Sequence, residues 1–238
     1  MAKPTGTEAH RDRILKAALD LLSKQGRDAV TTRSVAEAAR VQPTVLYRIF
    51  GDKAGLLQAV ATYGFTAYLT RKRPPATSTD PVEALRTGWD LHVEFGLQNP
   101  ELYLLMYADP RPGPPSQAAQ QSFNMLHEHM QHVAIAGRLS ISVEKACILY
   151  HAAAVGIMMS FLACTTEQRD LSLSVVVRDH ALSSITSPSP TKLPPTIATM
   201  TSSLRALLTK AGMQTRGFTE AEKQLLLEWL KRLTEQQT

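Results

Sequence analysis

An all-α fold follows from three features of this 238-residue sequence. Apolar residues recur with a period near 3.6 in segments rich in Ala, Leu, Glu, Gln and Arg. Alternating β-branched runs bounded by hairpin turns do not occur. Eleven of the 14 prolines gather in three clusters: Pro74, Pro75 and Pro81; Pro110, Pro112, Pro114 and Pro115; and Pro188, Pro190, Pro194 and Pro195. Proline fixes φ and removes a backbone donor, so these clusters are read as loops that end helices. With 44% hydrophobic and 20% charged residues, the chain suffices for one large domain or two small ones, which excludes collagen, fibres and disorder.

Between the loops the periodicity predicts helices near residues 10–25, 32–39, 43–49, 53–70, 81–98, 101–108, 117–136, 143–165, 170–185, 196–211 and 219–235. In the first, Ile14, Ala17, Ala18, Leu21 and Leu22 share one face and Gly26 stands at the C-cap, so this helix packs rather than reads. In the last, Thr219 and Glu222 form a Thr-x-x-Glu capping box ahead of an apolar stripe of Leu225, Leu226, Trp229, Leu230 and Leu233. The most apolar run, Ile148 to Cys164, has 17 residues and includes His151 and Ser160, short of the ~30 Å of a bilayer core, so no membrane partner is expected. Cys147 and Cys164 give no disulfide framework and no signal-peptide pattern is present, which makes the cytoplasm the expected location.

Charge is unevenly placed. Residues 1–73 hold 13 of the 26 Lys and Arg but 6 of the 21 Asp and Glu, a surplus of seven, whereas the remainder is slightly acidic. A basic module on a near-neutral body points to a polyanion, of which nucleic acid is the commonest inside a cell; the plain alternative is a solubilising tail.

The segment from Thr31 to Phe50 has the layout of a helix-turn-helix. Thr31 caps the first helix, Ala36 lets a second helix cross closely, Val41 and Leu46 lock the crossing, and Pro43 suits the first turn of the second helix. With Leu46 and Phe50 facing inward, Gln42, Thr44, Tyr47 and Arg48 project outward with groups that reach base edges and phosphates in a major groove. Thr32 and Arg33 begin the preceding helix beside the backbone, and Lys53 lies where amides, helix dipole and ammonium converge on one phosphate. The bland alternative is a three-helix core with Tyr47 and Phe50 as packing residues and solvated cations.

Residues 10 to about 60 resemble the N-terminal DNA-binding domain of the TetR family of transcriptional regulators. The resemblance rests on Ile14-Leu15-x-Ala17-Ala18, Gly26, Thr31, Val35-Ala36, Ala39-x-Val41, Tyr47-x-x-Phe50 and Lys53-x-x-Leu56-Leu57. It implies a DNA-binding domain over 1–60, followed over 61–238 by a helical ligand-binding and dimerisation domain. It further implies a homodimer on palindromic double-stranded DNA, released by a small effector, and most often a repressor. The contact set carried by this reading is Thr31, Thr32, Arg33, Arg40, Gln42, Pro43, Thr44, Tyr47, Arg48 and Lys53. One departure stands out: the family usually has glycine in the turn where this chain has Arg40, which at positive φ costs roughly 1 kcal/mol and also adds a cation near DNA.

By the same resemblance the effector site lies among the helices of about 60–165, where Tyr63, Trp89, His92, Phe95, Tyr103, Met106, Tyr107, His127, His151 and Met158 are the candidates. His92, Tyr103 and His151 would supply the polar groups of a mostly apolar pocket, and most of the set is otherwise core. Ala152, Gly156 and Ser160, four apart, form a ridge of small side chains for close helix approach, and with Leu173, Val176 and Val177 they mark the expected dimer seam. A tight crossing inside one subunit is the competing explanation. No cofactor or metal is expected: glycine-rich phosphate loops, G-x-S-x-G and metal-spaced cysteines do not occur, and His127 and His132 are five apart where a helical zinc pair needs four. The chain is therefore not expected to be an enzyme; the alternative is an all-α small-molecule-binding protein or enzyme that has lost DNA binding.

Overall fold

The computed structural model describes residues 6–71, 80–108, 115–187, 197–209 and 218–235. Eleven α-helices run through them: α1 (Gly6–Gln25), α2 (Thr32–Ala38), α3 (Pro43–Phe50), α4 (Lys53–Arg71), α5 (Pro81–Gln98), α6 (Pro100–Tyr107), α7 (Gln117–Ile135), α8 (Val143–Ala163), α9 (Ser172–Ile185), α10 (Ile197–Thr209) and α11 (Glu220–Glu235). Single 3-10 turns follow α1 and α8, and among the described residues the only strand-like pairing is one bridge between Leu139 and Thr186. The all-α expectation holds. Of the clustered prolines, Pro81 opens α5 and Pro115 precedes α7, while the other nine lie outside the described residues.

The chain divides into two compact units, Met1–Pro74 with Glu94–Ser122 and Pro75–Val93 with Phe123–Thr238. In the first, the apolar face of α1 (Ile14, Leu15, Ala18, Leu22) is sealed from solvent. Burial of each of the three larger side chains contributes roughly 1.5–3 kcal/mol. Gly26 ends α1 at φ 79°, a backbone conformation that glycine adopts without strain. A cluster of rings on α4, α5 and α6 completes this unit. Phe65 meets Phe95 edge-on at 5.4 Å, Phe95 meets Tyr103 at 6.2 Å, and Tyr103 meets Tyr107 at 4.7 Å.

In the second unit Trp89 packs edge-on against Tyr150 at 5.0 Å, and its indole N–H donates to Ser174 Oγ at 2.9 Å. Tyr150 donates its hydroxyl to the Leu85 carbonyl at 2.8 Å, so both polar tips are satisfied where water is excluded. Arg178 reaches Asp90 at 2.7 Å and Asp179 at 3.1 Å, and Arg86 pairs with Asp179, which fastens α9 to α5. The capping box expected for α11 forms: the Thr219 amide donates to Glu222 Oε2 at 2.8 Å and the Glu222 amide to Thr219 Oγ1 at 3.3 Å.

Helix α8 has 21 residues, four more than the apolar run suggests, so its length alone does not exclude a membrane span. One side of it, including Ala146, Cys147, Tyr150, Ala154, Met158 and Phe161, is buried within its unit as in a core helix.

Candidate nucleic-acid interface

Local capping fixes the start of α2. Thr31 Oγ1 accepts from the Ser34 amide and Ser34 Oγ accepts from the Thr31 amide, both at 3.0 Å, so α2 begins with a reciprocal box. Ser34 takes the place of the usual Glu or Gln. At the other end the Val41 amide donates to the Ala36 carbonyl at 2.9 Å and the Arg40 amide to Glu37 at 3.1 Å. This pair of bonds is a Schellman motif, and the motif needs its penultimate residue in the left-handed region. That residue is Arg40, at φ 52°. The turn therefore keeps the geometry for which glycine is the usual solution, and an arginine adopts it.

Pro43 opens α3 with Gln42 at the N-cap, Leu46 is buried, and Gly51 ends the helix at φ 78°. Among the ten expected contact residues, Thr31, Arg33, Arg40, Gln42, Pro43, Thr44, Tyr47, Arg48 and Lys53 are exposed and Thr32 is half-buried. Tyr47 keeps 53% of its surface in water, and its hydroxyl lies 3.4 Å from Thr32 Oγ1. Packing therefore does not absorb Tyr47.

The cations of α1–α4 fall into paired and unpaired groups. Lys16 and Lys24 on α1 are paired with Asp12 and Asp20, each at 2.8 Å. Among the described residues Arg33, Arg40, Arg48 and Lys53 have no acidic partner. Unpaired cations beside exposed hydroxyls and amides form a surface suited to phosphates and base edges.

At the start of α4 the Gly55 amide donates to Asp52 Oδ1 at 2.7 Å. A carboxylate therefore occupies part of the helix terminus that was expected to face a phosphate, and Lys53 supplies the positive charge there. Three residues escape sequence reasoning. Ser34 completes the α2 cap; the Arg11 guanidinium lies 5.7 Å from the Phe50 ring centroid, linking α1 to the end of α3; and Gly55 lets α4 begin against the Phe50 carbonyl, with which a Cβ would collide. On α4, Tyr63 donates to Asp12 Oδ1 at 2.9 Å; the bond from Lys16, and secondarily that from Tyr63, holds the Asp12 carboxyl below its ordinary range.

The ten effector candidates divide between the two units. Tyr63, Phe95, Tyr103, Met106 and Tyr107 belong to the first unit and Trp89, His92, His127, His151 and Met158 to the second. Trp89, Phe95, Tyr103, Met106 and Met158 are sealed in their cores. Tyr63 lines a polar groove of about 330 Å³ with Arg11, Gln58, Thr62 and Thr66, and His127 lines a concavity of about 100 Å³ with Glu144 and Arg205. Burial, and secondarily the charge of His151, pushes the His92 imidazole down to about 4. The His151 ring meets Phe123 edge-on at 5.4 Å. Among the described residues no group of three or more His, Cys, Asp or Glu is placed to hold a metal ion.

The expected seam residues face outward. Ala152, Gly156 and Ser160 are exposed, and a Cβ on Gly156 would meet nothing within 4 Å, so no helix among the described residues crosses there. Leu173 and Val176 are exposed and Val177 half-buried on α9, with Ile148 and Leu149 exposed on α8.

Residues 14–60 match the model of the bacterial regulatory proteins of the tetR family. The chain is 44% identical over 55 residues to the class A tetracycline repressor protein from transposon 1721 of Escherichia coli, a match covering 23% of this chain and 26% of that protein. It is 42% identical over 77 residues to the transcriptional repressor KstR of Rhodococcus jostii, covering 32% and 35%. The matched stretch thus spans about a quarter to a third of these relatives. A TetR transcriptional regulator from Streptomyces coelicolor shares the fold over 94% of this chain and 98% of its own, with 19% identity and a TM-score of 0.56. An N-terminal helix-turn-helix followed by a larger helical region is therefore the architecture of this chain, and residues 14–60 are similar to the amino-terminal domain of the tetR family of bacterial regulatory proteins.

Proposed function

We propose that this protein is a cytoplasmic homodimeric transcriptional regulator, a repressor like the curated relatives it matches, in which residues 1–60 read a palindromic operator and 61–238 dimerise and bind a small effector. The observation carrying this reading is the exposed face of α2–α3, where Gln42, Thr44, Tyr47 and Arg48 stand beside cations without acidic partners. Two such heads would occupy successive major-groove faces about 34–36 Å apart.

Pairing across Ala152, Gly156 and Ser160 of α8, flanked by Leu173, Val176 and Val177, is supported by the open space over Gly156. An effector releases DNA only by preferring a conformation with another head separation. Helix α4 is the element we assign to that change, with Lys53 at its DNA end and Tyr63 bonded to α1 about 15 Å further along. Selecting bound fragments from random duplex DNA tests the reading. Enrichment of an inverted repeat, with affinity falling steeply as salt rises, is expected. Failure to retain any duplex at low ionic strength, or a flat salt response, would refute it.

A further inference from the structure

The C-terminal hairpin carries an apolar surface that its own unit does not cover. On α10 Met200 and Leu204, ahead of α11 Phe218, and on α11 Leu225, Trp229 and Leu233 each keep between 42% and 57% of their surface in water. Leu225, Trp229 and Leu233 are spaced by four and so form one row on α11. Six large side chains about half exposed present together on the order of 500 Å² of apolar surface. A standard interface takes ~800 Å² from each partner, a little over half of it apolar, so the patch is large enough to contribute to one.

Its position on the fold selects the occupant. Arg205 of α10 is held by Glu144 of α8 at 3.0 Å, and Glu144 lies one turn before Ile148. Ala152, Gly156 and Ser160 are exposed and spaced by four, a ridge suited to interdigitate with the same ridge of a second copy. In a two-fold seam with Gly156 at the axis, the residues before it on one chain face those after it on the other. The Glu144 end, where α10 is anchored, then arrives at the second copy's segment beyond Cys164, which carries the exposed Leu171 and Leu173.

We propose that the α10–α11 hairpin is a second arm of the dimer seam, its Leu225–Trp229–Leu233 row closing on the second copy at the start of α9. This rests on the α8 pairing proposed above. The chain has two tryptophans, and Trp89 is 1% exposed with its N–H bonded inside its unit, so Trp229 dominates any emission that acrylamide can quench.

The experiment compares the full wild-type chain with Gly156→Glu, whose new side chain enters open space and leaves the subunit folded, as circular dichroism checks. Mass is read by sedimentation and Trp229 by acrylamide quenching. Expected are a dimer with shielded tryptophans, a monomer whose quenching constant is several-fold higher, and a dimer dissociation constant raised about tenfold or more by Trp229→Glu. A wild-type dimer in which Trp229 is quenched as readily as in the monomeric variant overturns the arm and leaves the α8 seam intact. A wild-type chain that stays monomeric, or a Gly156→Glu chain that still pairs, removes the seam itself and the arm with it.

Discussion

Replacing Arg40 separates the geometry of the turn from its charge. At φ 52° an L-residue crowds its Cβ against the following carbonyl, at a cost of about 1–2 kcal/mol that glycine avoids. Glycine's freer unfolded chain returns roughly 0.4–1 kcal/mol of that gain. Arg40→Gly should therefore lie between neutral and about 1.5 kcal/mol more stable than wild type, whereas Arg40→Ala keeps the crowding and should gain nothing. Urea unfolding followed by circular dichroism reads the difference. Both variants remove the same cation, so if each head places Arg40 on one phosphate, the slope of log affinity against log salt becomes shallower by about 2 in a dimer. Arg40→Lys should keep the wild-type slope. Arg40→Gly less stable than Arg40→Ala would show that the left-handed angle carries no cost here, and an unchanged slope in both would take Arg40 out of the phosphate contacts.

Alanine at Tyr47 and Lys53 together should abolish retention of the selected operator in a gel shift while secondary structure and mass stay unchanged; wild-type retention would dismiss both as contacts. Gly55→Ala should cost about 2 kcal/mol or more, because the added methyl collides with the Phe50 carbonyl; thermal unfolding at wild-type temperature would contradict this. His92 is held near 4 by burial and by the charge of His151, whereas an unfolded histidine titrates near about 6.5. The unfolded chain thus binds the extra proton between those values, and stability present above pH 6.5 is lost as the pH falls toward 4. Because His92 keeps part of its surface in water, the expected loss between pH 7.5 and 5 is about 1 kcal/mol. A His92→Gln chain that loses as much over that interval would show that another group is responsible.

The reading unit was legible because its determinants are local. A hydroxyl at Thr31, a proline at Pro43 and a glycine at Gly26 act on the backbone within a few residues of themselves, and α2–α4 begin where the sequence places them. Ser34 escaped because serine is not the residue usually sought at the third position of a capping box. Arg11 and Phe50 stand far apart along the chain, and periodicity does not report such a contact. The effector set was least legible. An aromatic or methionine on an apolar face has the same pattern whether it fills a core or borders a cavity, and Trp89, Tyr103 and Met158 fill cores. For the small-residue ridge on α8 the sequence left two explanations standing, and the open space above Gly156 favours pairing over a crossing by another described helix.

On the proposed function, the junction at Gly55 sets limits on altering operator preference. The outward side chains of α3, Gln42, Thr44, Tyr47 and Arg48, are exposed, so libraries at these four positions should sample new base preferences without disturbing the scaffold. Position 55 has no such freedom: any side chain there would push the carboxyl end of α3 away from α4, tilting every engineered contact at once. A retargeting campaign should hold Gly55 constant and diversify the four outward positions.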